Sequence, residues 1–188
     1  MLRYYVAAAD LNGRDSRNPP VLDLGQDRSP EYYGTVIADP TLTSNLPILY
    51  WFVDNPEAAR TDAGTRCSAW FNGEFYDNFF VRRRGFTTAD WPKRKFNFDF
   101  NTGDRFRLMA GLGRVEEINL QSHQYEIGNT SYMRETIAFQ FLRDVGVPAP
   151  LAYHIQLRQN GSFYGLYSII EQVDKDFLDR NGLDTAGL

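Results

Sequence analysis

Short apolar segments separated by turn residues make up most of the chain from residue 46 onward. The segment LPILYWFV at 46–53 is rich in leucine, isoleucine and aromatic residues and is followed by Asn55-Pro56, so it is predicted to be a buried strand. Residues 95–100 alternate between polar and apolar types, which predicts a strand with Phe96, Phe98 and Phe100 on one face. These patterns favour a sheet with one buried side.

Two pairs of apolar segments are each joined by an Asn-Gly dipeptide, at 72–73 and 160–161. Asn-Gly is typical of tight hairpin turns, because both of its residues tolerate the positive φ angles that a type I′ turn needs. Two antiparallel hairpins are therefore predicted, with strands at 67–71, 74–82, 152–158 and 162–170.

One long helix is predicted between the capping residues Asn129-Thr130-Ser131 and Gly146, with Pro148 and Pro150 preventing its continuation. Apolar residues recur at every fourth position of this helix, so we expect it to pack one stripe on the sheet; the stripe is Met133, Ile137, Phe141 and Val145. A shorter helix is predicted from about Asp174 to Gly182, anchored by Phe177 and Leu178. The fold class is therefore predicted as α+β, with a mostly antiparallel sheet.

The first 45 residues differ in character from the remainder. Residues 1–9 resemble the last strand of an immunoglobulin-like or fibronectin-like domain, and residues 10–45 are rich in Pro, Asp and Gly, as a linker and lead-in would be. The alternative is that residues 1–9 are an ordinary amino-terminal strand of the main domain, which we assign to 46–188.

Composition narrows the functional classes. A chain of 188 residues that is 43% hydrophobic can bury a core, and its net charge of −4 provides no general attraction to nucleic acid or to an anionic membrane. The single cysteine, Cys67, has no second thiol for a disulfide or a zinc site. No apolar run is long enough for a membrane span, and MLRYYVAAADLNG lacks the features of a signal peptide.

A basic cluster is the clearest candidate for binding chemistry. It holds six of the 20 Lys and Arg residues within a short stretch: Arg82, Arg83, Arg84, Lys93, Arg94 and Lys95. Gly85 and the hydroxyls of Thr87 and Thr88 lie between them, so amides, hydroxyls and cations are available to a phosphate. The alternative is a set of solvated charges that protect a strand edge from pairing.

Other candidates have simpler explanations. Asp174-Lys175-Asp176 resembles a metal-binding pair, but residues two apart diverge on a helix, so these acids are interpreted as helix amino-terminal residues and no metal ligand is assigned. His123 and His154 lack a nearby nucleophile motif, which argues against a hydrolase.

An ordered set of short segments resembles the CotH family of spore-coat and secreted atypical protein kinases over about residues 46–188. Thr87 and Thr88 stand where that family has serines, and Asn129 stands where it usually has aspartate. The matching segments are Arg82-Arg83-Arg84-Gly85-Phe86-Thr87-Thr88, Pro92-Lys93, Asn119-Leu120, Tyr132-Met133-Arg134-Glu135, Gly146-Val147-Pro148, Asn160-Gly161 and Glu171-Gln172-Val173-Asp174.

The resemblance implies a kinase-like amino-terminal lobe that holds the phosphates of ATP. Lys93 is the first candidate for the phosphate-binding lysine and Lys95 the second, because strand register decides between them. Glu135 is the candidate that positions this lysine, and Glu117 is the reserve. The other implied contacts are Arg84, Thr87 and Thr88 with phosphate, and Glu171, Gln172 and Val173 as the hinge beside the adenine.

The same resemblance implies a function for the whole protein. It is phosphate transfer from ATP, with magnesium, to Ser or Thr of secreted or surface proteins, and an extracellular location. The catalytic and magnesium-binding aspartates are expected beyond Leu188, in a carboxy-terminal lobe that would partner this one. We therefore expect these residues to be inactive on their own. The usual glycine-rich GxGxxG loop is missing, and Gly111-Leu112-Gly113 is interpreted as a turn. The alternative function is a non-catalytic extracellular binding module of the same fold.

Overall fold

The computed structural model describes residues 1–20, 29–37, 39–88, 90–124 and 131–186. Their three helices are α1 (Pro56–Ala59), α2 (Arg134–Asp144) and α3 (Lys175–Arg180). Their strands are β1 (Leu2–Tyr4), β2 (Val6–Ala9), β3 (Asp15–Asn18), β4 (Tyr33–Thr35), β5 (Ile48–Phe52), β6 (Thr65–Phe71), β7 (Glu74–Arg84), β8 (Lys95–Asp99), β9 (Glu117–Gln121), β10 (Ala152–Gln159) and β11 (Ser162–Glu171). The molecule is therefore α+β and rich in sheet, as predicted.

Seven strands form a closed barrel in the order β10-β11-β9-β8-β7-β6-β5. Neighbouring strands are antiparallel except at the closure, where β5 runs parallel to β10 and pairs Ile48 with Gln156. The sequence predicted β5, β8 and the two hairpins, but neither β9 nor this closure. A closed barrel leaves none of its strands with an unpaired edge, which removes the hazard of edge-to-edge association.

Aromatic side chains fill the barrel. Trp51 is fully buried, with its ring centre 4.9 Å from that of Phe96 and 5.4 Å from that of Phe98. The alternation that predicted strand β8 therefore points its phenylalanines inward. Cys67 also lies in this core, and burial raises the pKa of its thiol, so it stays protonated and unreactive.

Asn-Gly dipeptides make the turns between β6 and β7 and between β10 and β11. The φ angles are 47° and 89° at Asn72 and Gly73, and 49° and 87° at Asn160 and Gly161, all in the left-handed region. Asn160 has a second role, since its side-chain amide exchanges two hydrogen bonds with the backbone of Val53. The second turn thereby holds the end of β5 against the hairpin that closes the barrel.

The face of α2 that packs on the barrel is not the predicted one. The stripe of Met133, Ile137, Phe141 and Val145 is exposed, each side chain at 50% or more. The helix instead turns Thr136 inward, with Glu135 and Phe139 partly covered beside it. Residues spaced four apart shift by about 40° around a helix at each step, so they do not form a straight stripe. In addition, the polar contacts of Glu135 with the barrel turn a different face of α2 toward the sheet.

The amino-terminal residues form two small pairs of strands, β1 with β4 and β2 with β3, so both β3 and β4 lie within the predicted linker. Buried Asp77 of β7 connects this part to the barrel. Its carboxylate accepts hydrogen bonds from the backbone N–H groups of Glu31 and Tyr32 and from the hydroxyl of Ser68. The division into domains at residues 9 and 45 stays a prediction.

Asp104, beside the barrel, should make stability depend on pH. Burial raises its pKa from 3.8 to about 6, and the negative charges of Glu74 and Asp77 act in the same direction. The folded state therefore binds more protons than the unfolded state between about pH 4 and pH 6, so stability falls as pH rises through that window.

Asp104→Asn should consequently raise the free energy of unfolding by about 1 kcal/mol at pH 8 and leave it unchanged at pH 4, after allowance for solvent screening. Urea unfolding at the two pH values measures this difference. An equal effect of the substitution at both pH values would contradict the assignment.

Candidate functional site

Polar side chains cover the outer face of the barrel where the β-strands β7, β8, β9, β11 and β10 lie side by side. The strand register pairs Arg84 with Lys95, Ser168 with Gln121, and His154 with Ser168. Because Phe96 pairs with Leu120, Lys95 lies next to Gln121. One row of outward side chains therefore crosses five strands, and a second row, two residues along, contains Arg82, Asn97 and Asn119.

Glu135 reaches the first row from α2. Its Oε2 atom accepts a hydrogen bond of 2.9 Å from Nε2 of Gln121. Loss of hydration lowers the pKa of both Lys95 and Arg84, and the carboxylate of Glu135 opposes that shift in each. The predicted glutamate is thus electrostatically coupled to the second lysine candidate and to a predicted phosphate contact, Arg84.

Lys93, the first lysine candidate, lies elsewhere. Its ammonium donates a 2.6 Å hydrogen bond to the carbonyl of Leu166 and sits 4.7 Å from the ring centre of Tyr167. Burial lowers the pKa of Lys93, and no carboxylate among the described residues counteracts this. The two candidate lysines therefore have different surroundings.

Buried amides form the second row. Nδ2 of Asn97 donates to Oε2 of Glu117 at 2.9 Å, and Nδ2 of Asn119 donates to Oε1 of Gln172 at 2.5 Å. Glu117, the reserve partner for the lysine, is thus bound to an amide. Gln172, a predicted hinge residue, joins the row because it directly follows β11, whose last residue, Glu171, pairs with Ile118 of β9.

Two acceptor atoms in these rows have no partner within the described part of the chain. They are Oδ1 of Asn97 and Oε1 of Gln121, both buried. Each amide nitrogen faces a carboxylate, which only accepts hydrogen bonds, so the orientation of each amide is set and the remaining atom is an acceptor. The face therefore offers buried hydrogen-bond acceptors beside the cations Lys95 and Arg84. A ligand that matches it would carry negative charge for the cations and N–H or O–H donors for the acceptors.

The arginines Arg83 and Arg94 of the basic cluster form ion pairs with nearby carboxylates. Arg83 makes a bidentate ion pair with Asp62, with both N–O distances at 2.7 Å, and a longer one with Asp90, which also pairs with Arg94. These two arginines therefore each have a carboxylate partner. Thr87 and Thr88 lie in the turn after β7, beside Gly85 with its φ of 105°.

The predicted hinge residues have separate environments. Glu171 is buried and accepts hydrogen bonds from the guanidinium of Arg180 and from the backbone N–H of Leu151. Its side chain therefore holds the fold together. Val173 is 52% exposed. Of the three, only Gln172 has a side chain linked to the polar rows.

The acids around α3 have structural roles. Asp174 caps the helix by accepting from the N–H groups of Asp176 and Phe177, and Asp176 binds the N–H of Glu116 and the side chain of Arg105. Within the residues that the structure describes, no three His, Cys, Asp or Glu side chains gather into a cation-binding group. In the same residues, no helix has the length and apolar character needed to span a membrane.

Sequence reasoning named Lys95, Arg84 and Glu135 but missed Gln121 and Asn97. Both occupy outward positions in strands whose inward positions are apolar, at 95–99 and 117–121. An amide repeated at outward positions of adjacent strands is the signal that would have identified them, although it requires the strand pairing to be known.

Comparison with models of protein families matches residues 81–188 to the family described as CotH kinase protein. The matched range contains both polar rows, α2 and the hairpin of β10 and β11. A search of curated protein sequences finds no match.

Proposed function

The chain belongs to the CotH kinase family, and on that premise we propose that it holds ATP for an atypical protein kinase, with the nucleotide on the polar face of the barrel. The observation that carries this proposal is the coupling of Glu135 on α2 to Lys95 and Arg84. A lysine on a strand, positioned by a glutamate on a helix, is the arrangement with which protein kinases bind nucleotide phosphates.

Lys95 is the proposed phosphate-binding lysine, with Arg84 as the second cation and Thr87 and Thr88 extending the site through their hydroxyls. Cationic donors form the strongest hydrogen bonds with phosphate oxygens. Glu135 holds the ammonium of Lys95 in place, and Gln121 holds Glu135 through the 2.9 Å hydrogen bond. Lys93 remains the competing assignment because it lies only two residues away in the chain.

The remaining parts of the nucleotide are proposed to contact both polar rows. Oδ1 of Asn97 and Oε1 of Gln121 are buried acceptors, and an adenine amino group or ribose hydroxyls would supply the missing donors. Gln172 and Val173, at the end of β11, are proposed to lie beside the base. Magnesium is implied by the family alone, and its ligands are expected in the carboxy-terminal lobe.

We further propose that the protein carrying these residues phosphorylates Ser or Thr of secreted or surface proteins, and that a carboxy-terminal lobe completes its cleft. Such transfer depends on holding the phosphates and the acceptor in line, and the residues proposed here provide the phosphate half of that geometry.

Titration of the purified chain with ATP tests the proposal. Lys95→Met should weaken ATP about tenfold, the effect of losing one charge-assisted hydrogen bond, whereas adenosine affinity should stay within about twofold. Lys93→Met is the matched control and should leave ATP affinity within about twofold. Isothermal calorimetry at fixed ionic strength measures all three proteins, since electrostatic contributions depend on salt.

Two outcomes would overturn the proposal in different ways. A tenfold loss in Lys93→Met with none in Lys95→Met would move the site to the other lysine. Equal ATP affinity in all three proteins, falling steeply with added salt, would show general attraction to cations and no nucleotide site.

A further inference from the structure

A cavity of about 630 Å³ lies beside the start of α2, and Lys95, Arg84 and Glu135 are not among the described residues that line it. Its walls come from β10, β11 and the segment leading into β8. The apolar residues that matter are Met133, Phe163 and Leu166, and the polar ones are Lys93, His123 and His154. The size falls in the range of roughly 300–1,000 Å³ typical of small-molecule sites.

Positive charge at this cavity has no acidic counterpart among the described residues that line it. Lys93 is partly buried, and among the described residues its ammonium contacts one carbonyl, that of Leu166, together with the ring of Tyr167. An ammonium has three donors, so two remain for a ligand. A partly desolvated cation without a carboxylate favours an anion in the cavity.

Two imidazoles form another part of the cavity wall. The rings of His123 and His154 lie with their centres 5.6 Å apart, and His154 donates a 2.7 Å hydrogen bond to the carbonyl of Tyr132, just before α2. His123 bonds to the buried hydroxyl of Ser168 at 2.7 Å. These bonds hold the rings in place, so the wall is preformed.

The mouth of the cavity is apolar and open to water. Phe163 and Leu166 are 58% and 51% exposed, and Met133 is 50% exposed. Covering such side chains with an apolar group is favourable because it removes them from water. The cavity therefore suits a ligand with an anionic end and an apolar body.

We propose that this cavity binds a small organic anion with an apolar body, of which a medium-chain carboxylate is the simplest example. A peptide with an acidic residue shares that chemistry, but the barrel disfavours it. β10 pairs with both β11 and β5, and β11 pairs with both β10 and β9, so neither strand has a free edge to which an extended peptide could add.

Decanoate is the probe for this proposal, with isothermal calorimetry of the whole chain at low salt. Wild-type protein should bind one decanoate saturably, and decanol, which lacks the charge, should bind at least about tenfold more weakly. Lys93→Met should lower decanoate affinity by about tenfold. Phe163→Ala should weaken decanoate and decanol alike, because it removes part of the apolar mouth.

Lys175→Met is the control, since Lys175 is an exposed lysine that pairs with Glu116, and neither residue lines the cavity. It should leave decanoate affinity unchanged. Thermal unfolding of each variant shows whether it is folded. Equal decanoate binding by wild-type and Lys93→Met protein, or no saturable binding below the micelle concentration, would overturn the proposal.

ATP competition separates this cavity from the proposed nucleotide site. Decanoate and ATP should bind together, each with the same affinity in the presence of the other. Displacement of decanoate by ATP, with both lost in Lys93→Met, would assign the cavity to the nucleotide and overturn the proposal of a second site.

Discussion

Replacing Arg180 with methionine should lower the free energy of unfolding by about 3–5 kcal/mol, because it leaves a buried carboxylate without its counter-ion. Glu171 is 2% exposed, and its two oxygens accept from Nε and Nη2 of Arg180 at 2.9 and 2.5 Å. After the substitution, the N–H of Leu151, at 3.0 Å, is the one remaining donor described for that carboxylate. A single amide hydrogen bond does not offset the desolvation of a full charge.

The ion pair joins α3 to the end of β11, so its loss should lower the global stability of the domain. Urea unfolding, with a check that the slope against denaturant is unchanged, measures the effect. Lys175→Met is the matched control: its ammonium also pairs with a carboxylate, that of Glu116 at 2.8 Å, but the lysine side chain is 58% exposed. That change should have a much smaller effect, because an exposed ion pair contributes little to stability.

A double substitution, Glu171→Leu with Arg180→Leu, should recover part of the stability lost in Arg180→Met, since no buried charge remains unpaired. If the free energy of unfolding of Arg180→Met instead lies within about 1 kcal/mol of the wild-type value, then Glu171 is hydrated in solution. The proposed stabilising role of its ion pair between β11 and α3 would then be wrong.

Replacing Trp51 with alanine should cost about 3–5 kcal/mol, the range for truncating a buried aromatic residue. Trp51 is fully buried in the barrel, and its ring centre lies 4.9 to 6.0 Å from those of Phe96, Phe98 and Tyr164. These partners come from β8 and β11, across the barrel from β5. The cavity left by the indole would therefore separate the strands that the barrel closure brings together.

Trp51→Phe keeps an aromatic ring and should lose less, about 1–2 kcal/mol. If Trp51→Ala does not fold, this milder variant still allows the loss of stability at Trp51 to be measured and compared with the control. Phe86→Ala is the control at a 96% exposed aromatic residue, and it should change stability by less than about 0.5 kcal/mol. Denaturant unfolding of the three proteins tests the order, and a loss in Phe86→Ala equal to that in Trp51→Phe would contradict it.

Features that depend on neighbouring residues in the chain were predictable. The Asn-Gly turns lie where the two dipeptides stand, because positive φ is an intrinsic property of those residues. α3 begins after Asp174, whose carboxylate caps it as the helix amino-terminal interpretation expects. The alternating phenylalanines of β8 also face the core as predicted.

The orientation of α2 was not predictable from periodicity. Its apolar stripe is exposed, and the helix packs through Thr136 and Glu135. An isolated pattern shows that a helix has two kinds of face. It does not show which face meets the barrel when a charge on the helix has partners there.

Some candidate site residues could be named from the sequence, whereas others could be recognised only from the structure. Resemblance to a family named Lys95, Arg84 and Glu135, but their mutual proximity depends on pairing Arg84 with Lys95 and on the position of α2. Asn97 and Gln121 carry no local signal, because an amide in a strand is usually solvated. They matter only because neighbouring strands bury them.

By itself, therefore, the sequence determined the Asn-Gly turns, the strands β5, β6, β7, β8, β10 and β11, the helices α2 and α3, the apolar side of β8 and the family to which the chain belongs. Tertiary structure alone decided the closure of β5 onto β10, the packing face of α2, and the electrostatic coupling of Lys95 to Glu135. The physical reason is the separation along the chain of the residues that interact. Turn and cap energies arise between residues a few positions apart, whereas barrel closure, helix orientation and charge coupling arise between residues far apart in the chain, and local patterns do not encode their pairing.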